Sequence, residues 1–239
     1  MELYYIIIVF FLAGLVLEVT GFGVATVAMS LLLFVLPPIV VIPLVAIVAL
    51  FSSGLVAYRI KNKNVIRKII PLLAGVVFGV PMGMLLLDYL NPLALSVIVG
   101  IFLIAYSIYG LLNLKHPLRF HGNQKSGFAV GALAGFFNAS FNIDGPLVAL
   151  YQSGDYGVEA NDFKDTIATH MFFTGLFTVI GHTLSGRLNF EVLKFLPFAI
   201  PAIIVGFYVG QLIFAKIGRK SVKEAIYLLV LISGLSILF

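Results

Sequence analysis

The 239-residue chain contains no cysteine, so disulfides, thiolate metal sites and thiol redox chemistry are excluded. Charge is also scarce. Asp, Glu, Lys and Arg make up 10% of the residues, where a soluble domain carries about a quarter. A basic n-region is missing from the start, "MELYYIIIVFFLAG", which runs on into more apolar sequence and reads as mature protein rather than a secretory signal. What the chain has instead is apolar surface: 61% of its residues are hydrophobic and the mean hydropathy is +1.13. Long apolar runs parted by short charged connections read as an all-α integral membrane protein whose main partner is the lipid bilayer. The net charge of +5 comes from basic residues in those connections. That is a positive-inside pattern, and no nucleic-acid partner is expected.

Punctuation divides the chain into about eight apolar segments, at 3–36, 40–58, 65–87, 93–113, 127–153, 165–184, 191–215 and 222–239. Most are near the roughly 20 residues that cross a bilayer. The first and fifth are longer and interrupted, by "EVTGFG" at 18–23 and "NASFNID" at 138–144. Polar groups and helix breakers at membrane depth are costly, so these two interruptions are the first candidates for function.

The two odd segments hold matching places in two halves. Laying residue n on n+121 pairs Ala13-Gly14 with Ala134-Gly135, Val27-Ala28 with Val148-Ala149, and Gly54-Leu55 with Gly175-Leu176. With the shift lengthened to 127, Gly79-x-x-x-Gly83 falls on Gly206-x-x-x-Gly210. We read residues 1–114 and 127–239 as two four-segment repeats joined by a basic loop at 115–126, together one transmembrane domain. The glycine pairs are expected to pack helices rather than touch a ligand.

Three loops carry the cations: Arg59, Lys61, Lys63, Arg67 and Lys68; Lys115, Arg119 and Lys125; Lys216, Arg219, Lys220 and Lys223. If the first and fifth segments are re-entrant hairpins, all three loops are cytoplasmic, both termini lie outside and the repeats are inverted. That topology also puts Asp155, Glu159, Asp162 and Asp165 inside, which the rule hardly counts. If the two segments cross instead, the third basic loop lies opposite the others. The re-entrant reading obeys the charge bias better, and inverted repeats with broken helices are a transporter architecture.

The runs "DGPLVALY" (144–151) and "DTIATHMFFTGLFTVIGHTLSGRLNFEVLKFLPFAIPAIIVGFYVGQLI" (165–213) resemble the second half of TauE/SafE-type sulfite exporters and organosulfur-anion permeases. Residues 21–83, with their Pro-Pro between segments, resemble the first half. The resemblance covers nearly the whole chain. It implies a membrane transporter of sulfite or an organosulfonate in a prokaryotic cytoplasmic membrane, with no cofactor. Where that family usually shows a run of glycines before Gly145-Pro146, this chain has Asn142-Ile143-Asp144, which places side chains where relatives offer bare backbone.

A half-helix that starts inside the membrane exposes backbone N–H groups and the positive end of its dipole, which suit an anion without Arg or Lys. Gly145 lets a ligand approach the backbone, and Pro146 fits a first turn where no N–H is needed. Val24 and Ala25 are their repeat mates, behind Gly21 and Gly23. Asn138, Ser140 and Asn142 can add donors. Ser53 and Thr174 are repeat mates on the following segments, although such hydroxyls often bond their own helix. These residues are the candidate substrate site, unless Gly, Asn and Ser here only pack helices. Asp144, with His170 as a partner, is the candidate proton relay, because a protonated Asp144 would accept an anion that its ionised form repels. Glu18 joins the relay candidates but reads first as a helix cap, and Asp144 equally so. His182 is expected at an interface, and His116 and His121 in a basic loop carry no expected metal site.

The rival readings are a channel, which half-helices also build, an intramembrane protease using Asp144 with Glu18 or Ser140 with His170, and a scaffold without substrate. The expectation is a non-enzymatic carrier of a small anion. A homodimer is left open, as are the anion, the direction of transport and the coupling ion.

Overall fold

The computed structural model describes residues 2–20, 23–58, 64–115, 124–152, 160–214 and 219–238. Gly21, His116, His121, Asp155, Glu159 and the loop cations Arg59, Lys61, Lys63, Arg119 and Lys216 lie outside these residues. Every regular element among the described residues is a helix: α1 (Glu2–Thr20), α2 (Val24–Leu32), α3 (Pro38–Ala57), α4 (Asn64–Tyr89), α5 (Pro92–Lys115), α6 (Gln124–Phe141), α7 (Gly145–Gln152), α8 (Ala160–Leu184), α9 (Phe190–Leu193), α10 (Leu196–Phe214) and α11 (Arg219–Leu238). The apolar segment 3–36 thus becomes α1 and α2, and 127–153 becomes α6 and α7. The stretches Pro38–Ala57, Ile69–Tyr89, Pro92–Asn113, Asp165–Leu184 and Phe190–Ile213 are each long and apolar enough to cross a bilayer, and Ile226–Leu238 is a shorter apolar helix.

The helix starts are written in the sequence. Pro37 and Pro38 open α3, with proline at a position that has no N–H partner to lose. Asn91 caps α5: its Oδ1 accepts the Ala94 N–H at 2.8 Å, just behind Pro92. The Asn189 side chain likewise accepts the Val192 N–H to begin α9. Prolines 43, 71, 81 and 201 lie inside helices, a placement that membrane proteins tolerate.

Packing depends on glycine. Helix α4 lies on α6, α1 on α10, α5 on α11 and α3 on α8. A Cβ added at Gly79 would overlap the Ala132 carbonyl, and one at Gly131 would overlap that of Leu72. Across the other pair, Gly206 meets the Phe11 carbonyl and Gly14 meets that of Ile203. Lipid tails give helices no hydrophobic reason to associate, so backbones this close gain dispersion contacts that bulkier residues would forfeit. The glycine contacts also give direction. Residue numbers rise together along α1 and α10 (Phe11 with Gly206, Leu15 with Gly210) and along α4 and α6 (Leu72 with Gly131, Gly83 with Phe136). Along α3 and α8 they run oppositely, with Leu50 beside Gly175 and Gly54 beside Phe172.

The largest core cluster joins α1, α2, α3, α5, α10 and the ends of α6, with Phe10, Met29, Ile42 and Phe141 among its buried members. Outward, Tyr4, Ile8, Ile39, Phe78, Met82, Leu93 and Leu212 are exposed. So many large apolar side chains on the surface suit a lipid environment.

Candidate functional site

The two helix breaks meet. At the second, α6 ends on Asn142, whose φ of 57° is the one positive value among the described non-glycine residues. Its N–H returns to the Asn138 carbonyl at 2.8 Å, a left-handed C-cap in which Asn replaces the usual Gly. The Asn142 side-chain amide donates to the Ile42 carbonyl on α3 at 2.9 Å, which ties the break to a different helix. The Asp144 carbonyl then accepts from Leu147 at 3.1 Å and Val148 at 3.2 Å, so Asp144 is the residue from which α7 starts. At the first break Gly23 takes φ 109°, which favours glycine, and its carbonyl accepts the Val27 N–H at 3.0 Å to start α2 without any side-chain cap.

Between the breaks lies a cavity with about 50 Å³ open to the centre of a water-sized sphere. A water needs roughly 10–15 Å³ on that measure, so the space suits a few waters or one small polyatomic ion. The first turn of α2 (Val24, Ala25, Thr26) and the break before α7 (Asn142, Ile143, Asp144, Gly145) both line it. Ala46, Ala49, Leu50, Ser52 and Ser53 of α3, Met171 and Gly175 of α8, Asn138 and Leu17 complete it, and no basic side chain is among them. Two half-helix starts, several neutral polar groups and one acid, Asp144, thus line the cavity among the described residues.

Asp144 is the acid of the site, and it is 1% exposed. Its carboxyl faces the Asn138 side chain and the Gly145 N–H. The Asn138 Oδ1 is itself occupied by the Thr178 hydroxyl at 2.7 Å, which leaves the Asn138 amide N–H groups for Asp144. The second carboxyl oxygen, Oδ2, has no hydrogen-bond partner among the described residues and lies 3.9 Å from Nδ1 of His170. Thr174 Oγ1 stands 3.4 Å from the His170 ring nitrogens.

Most of the expected site residues converge. Gly23, Val24, Ala25, Ser53, Asn138, Asn142, Asp144 and Gly145 line the cavity, and His170 and Thr174 stand directly behind Asp144. Pro146 is the second residue of α7. Ser53 spends its proton on the Leu50 carbonyl at 3.0 Å, the back-bond that such hydroxyls favour. Two expected residues face elsewhere. Ser140 donates to the Phe136 carbonyl and approaches that of Gly83, placing it in the α4–α6 contact. Glu18 lies with its Cβ against Gly210 of α10. His182, expected at an interface, is fully buried with both ring nitrogens unpartnered among the described residues, just before the turn to Arg187. Thr178 was missed as a site residue. The signal was present: His170, Thr174, Thr178 and His182 recur every four residues, one face of α8, and all are 0% exposed.

Helices jacketed in apolar side chains, with polar groups gathered at two breaks in their interior, define a multi-pass membrane protein built around a small internal cavity. Residues 6–237 match the family model described as sulfite exporter TauE/SafE, and the chain belongs to that family of membrane transporters. No curated protein and no solved structure matches it.

Proposed function

We propose that the protein is a secondary carrier of a small anion of the sulfite or organosulfonate class, an exporter by analogy with its family, with its substrate site in the cavity between the two helix breaks. The observation that carries this reading is the convergence of two half-helix starts, α2 and α7, on one pocket inside an apolar bundle, with no basic side chain among its described lining residues. Broken helices meeting at a site inside the bundle are a secondary-transporter architecture, and the carrier is preferred to a channel for that reason.

The duplication supports the carrier reading. The helix starts Val24 and Gly145 differ by 121, the shift that aligns the halves. The same shift, with 127 for the glycine helices, turns Phe11–Gly206 into Ala132–Gly79, Leu15–Gly210 into Phe136–Gly83, and Gly14–Ile203 into Gly135–Val76. These three contacts thus exchange between the halves, a pattern that inverted repeats fit. The basic loops are then cytoplasmic, both termini are outside and the home is the cell membrane. A homodimer is compatible, because one chain supplies every lining residue.

Asp144 is the coupling group in this reading. As a carboxylate it repels an arriving anion, and as the acid it does not, so the site favours taking the proton and the anion together. His170 and Thr174 are its route for the proton. The test is flux in proteoliposomes. Saturable sulfite movement driven by a proton gradient supports the carrier, and unitary currents under voltage would replace it with a channel.

A further inference from the structure

A second cavity lies one helix turn from the first. It offers about 110 Å³ to water-sized spheres and is bounded by Pro38, Ile39, Ile42 and Pro43 of α3, Leu87 of α4 and Leu90 just after it, Pro92 and Leu95 of α5, and Arg187. Along α3 the positions 39, 42, 43, 46, 49, 50 and 53 form one face. Its first part lines this second cavity and its remainder lines the central one. Between them stands Asn142, which lines the central cavity and holds the carbonyl of Ile42, which lines the other. The two spaces lie along one face of α3, and the Asn142–Ile42 bond joins a lining residue of each.

Among the described residues, Arg187 is the sole charged residue lining either cavity apart from Asp144. Its side chain is 11% exposed and is fixed in place: NH2 donates to Asp88 Oδ1 at 2.6 Å and to the Met84 carbonyl at 3.2 Å, and NH1 donates to Ser185 Oγ at 2.7 Å. Asp88, the carboxylate paired with it among the described residues, is 59% exposed. The Nε–H makes none of these bonds, and guanidinium is suited to planar oxyanion recognition.

Resting on the carrier reading above, we propose that this cavity is the vestibule on the side opposite the basic loops, that Arg187 is a binding station there for small oxyanions, and that the Asn142–Ile42 bond is the closed gate between station and central site. An anion leaving or reaching the central cavity exchanges with Asp88 for the guanidinium. In this reading opening breaks the bond from the Asn142 side chain to the Ile42 carbonyl.

Because the chain has no cysteine, single thiols can report on each section. Whole cells carrying Leu90→Cys, a vestibule position, are treated with membrane-impermeant anionic and cationic methanethiosulfonates, and the ratio of the two rates is read. The ratio cancels accessibility and thiol reactivity. It is expected to favour the anionic reagent, to fall about tenfold when Arg187→Gln is added, as loss of one charge at close range implies, to survive Arg187→Lys largely intact and to rise with Asp88→Asn. A ratio unmoved by Arg187→Gln, or no reaction with either reagent, overturns the station. For the gate, Ala46→Cys in the central cavity should react from outside at least about tenfold more slowly than Leu90→Cys, and Asn142→Gly, which keeps the backbone allowed, should close that difference by removing the restraining bond. Equal rates at the two positions with Asn142 intact overturn the gate. None of these rates depends on which anion the protein carries, so absence of sulfite flux would defeat the carrier reading and leave this result standing on its own.

Discussion

The Asn142 side chain donates to the Ile42 carbonyl at 2.9 Å across a hundred residues of sequence, and it does so from a backbone at φ 57°. One residue therefore ends α6, turns the chain and fastens that turn to α3. Glycine meets the backbone demand but not the bond. Alanine meets neither.

The stability order at position 142 follows. Asn142→Gly should cost about 1 kcal/mol for the lost bond, whereas Asn142→Ala adds about 1–2 kcal/mol of left-handed strain. Melting temperatures in detergent should fall in the order Asn, Gly, Ala. An alanine variant as stable as the glycine one would show that φ is not constrained there.

Thr178 holds Asn138 in the orientation that serves Asp144. Thr178→Val keeps the shape and removes the donor to Asn138 Oδ1, leaving that oxygen buried and unpaired at a cost of about 1–3 kcal/mol. Thr178→Ser should lose much less. If valine and serine melt alike, the hydrogen bond does not stabilise the break.

Glycines in the paired helices should divide by what lies opposite. Gly79→Ala meets the backbone of Ala132 and should destabilise by about 1–3 kcal/mol or more, since two helices must separate. Gly54→Ala meets only the ring edge of Phe172, at 3.3 Å, and should cost far less. Equal losses would mean that α4 and α6 are not packed as closely as these contacts indicate.

For Asp144 the sign is fixed by charge. Protonation removes the repulsion, so affinity for an anion should rise as pH falls, and Asp144→Asn should bind with little pH dependence because it stays neutral. Isothermal titration of purified protein with a sulfonate, whose own charge does not change over this pH range, measures both. An unchanged pH slope in the Asn variant would remove Asp144 from the coupling role.

How far the sequence was readable depends on which property each residue obeys. The breaks were visible as polar, glycine-rich interruptions at 18–23 and 138–144, and the helices stop within those windows, at Thr20 and Phe141. Gly79 and Gly83 were readable as packing positions because a four-residue glycine spacing has few other uses in a membrane helix. Ser140 and Glu18 were misplaced because composition does not fix how a helix is rotated. Ser140 sits two residues from both Asn138 and Asn142, yet faces α4. The vestibule was invisible for a different reason. Arg187 looks like an ordinary loop cation until the end of α4 is folded against it, ninety-nine residues away in sequence.

The most direct measurement is a thermal-shift screen of the detergent-purified protein at two pH values against sulfite, thiosulfate, several sulfonates, small carboxylates and chloride. A ligand present at a hundred times its dissociation constant adds about 2.7 kcal/mol, enough to raise the melting temperature visibly. The expected result is a rise with a sulfur oxyanion that is larger at the lower pH and that loses this pH dependence in Asp144→Asn. If no anion shifts the protein at either pH, the cavity between the breaks is not an anion site.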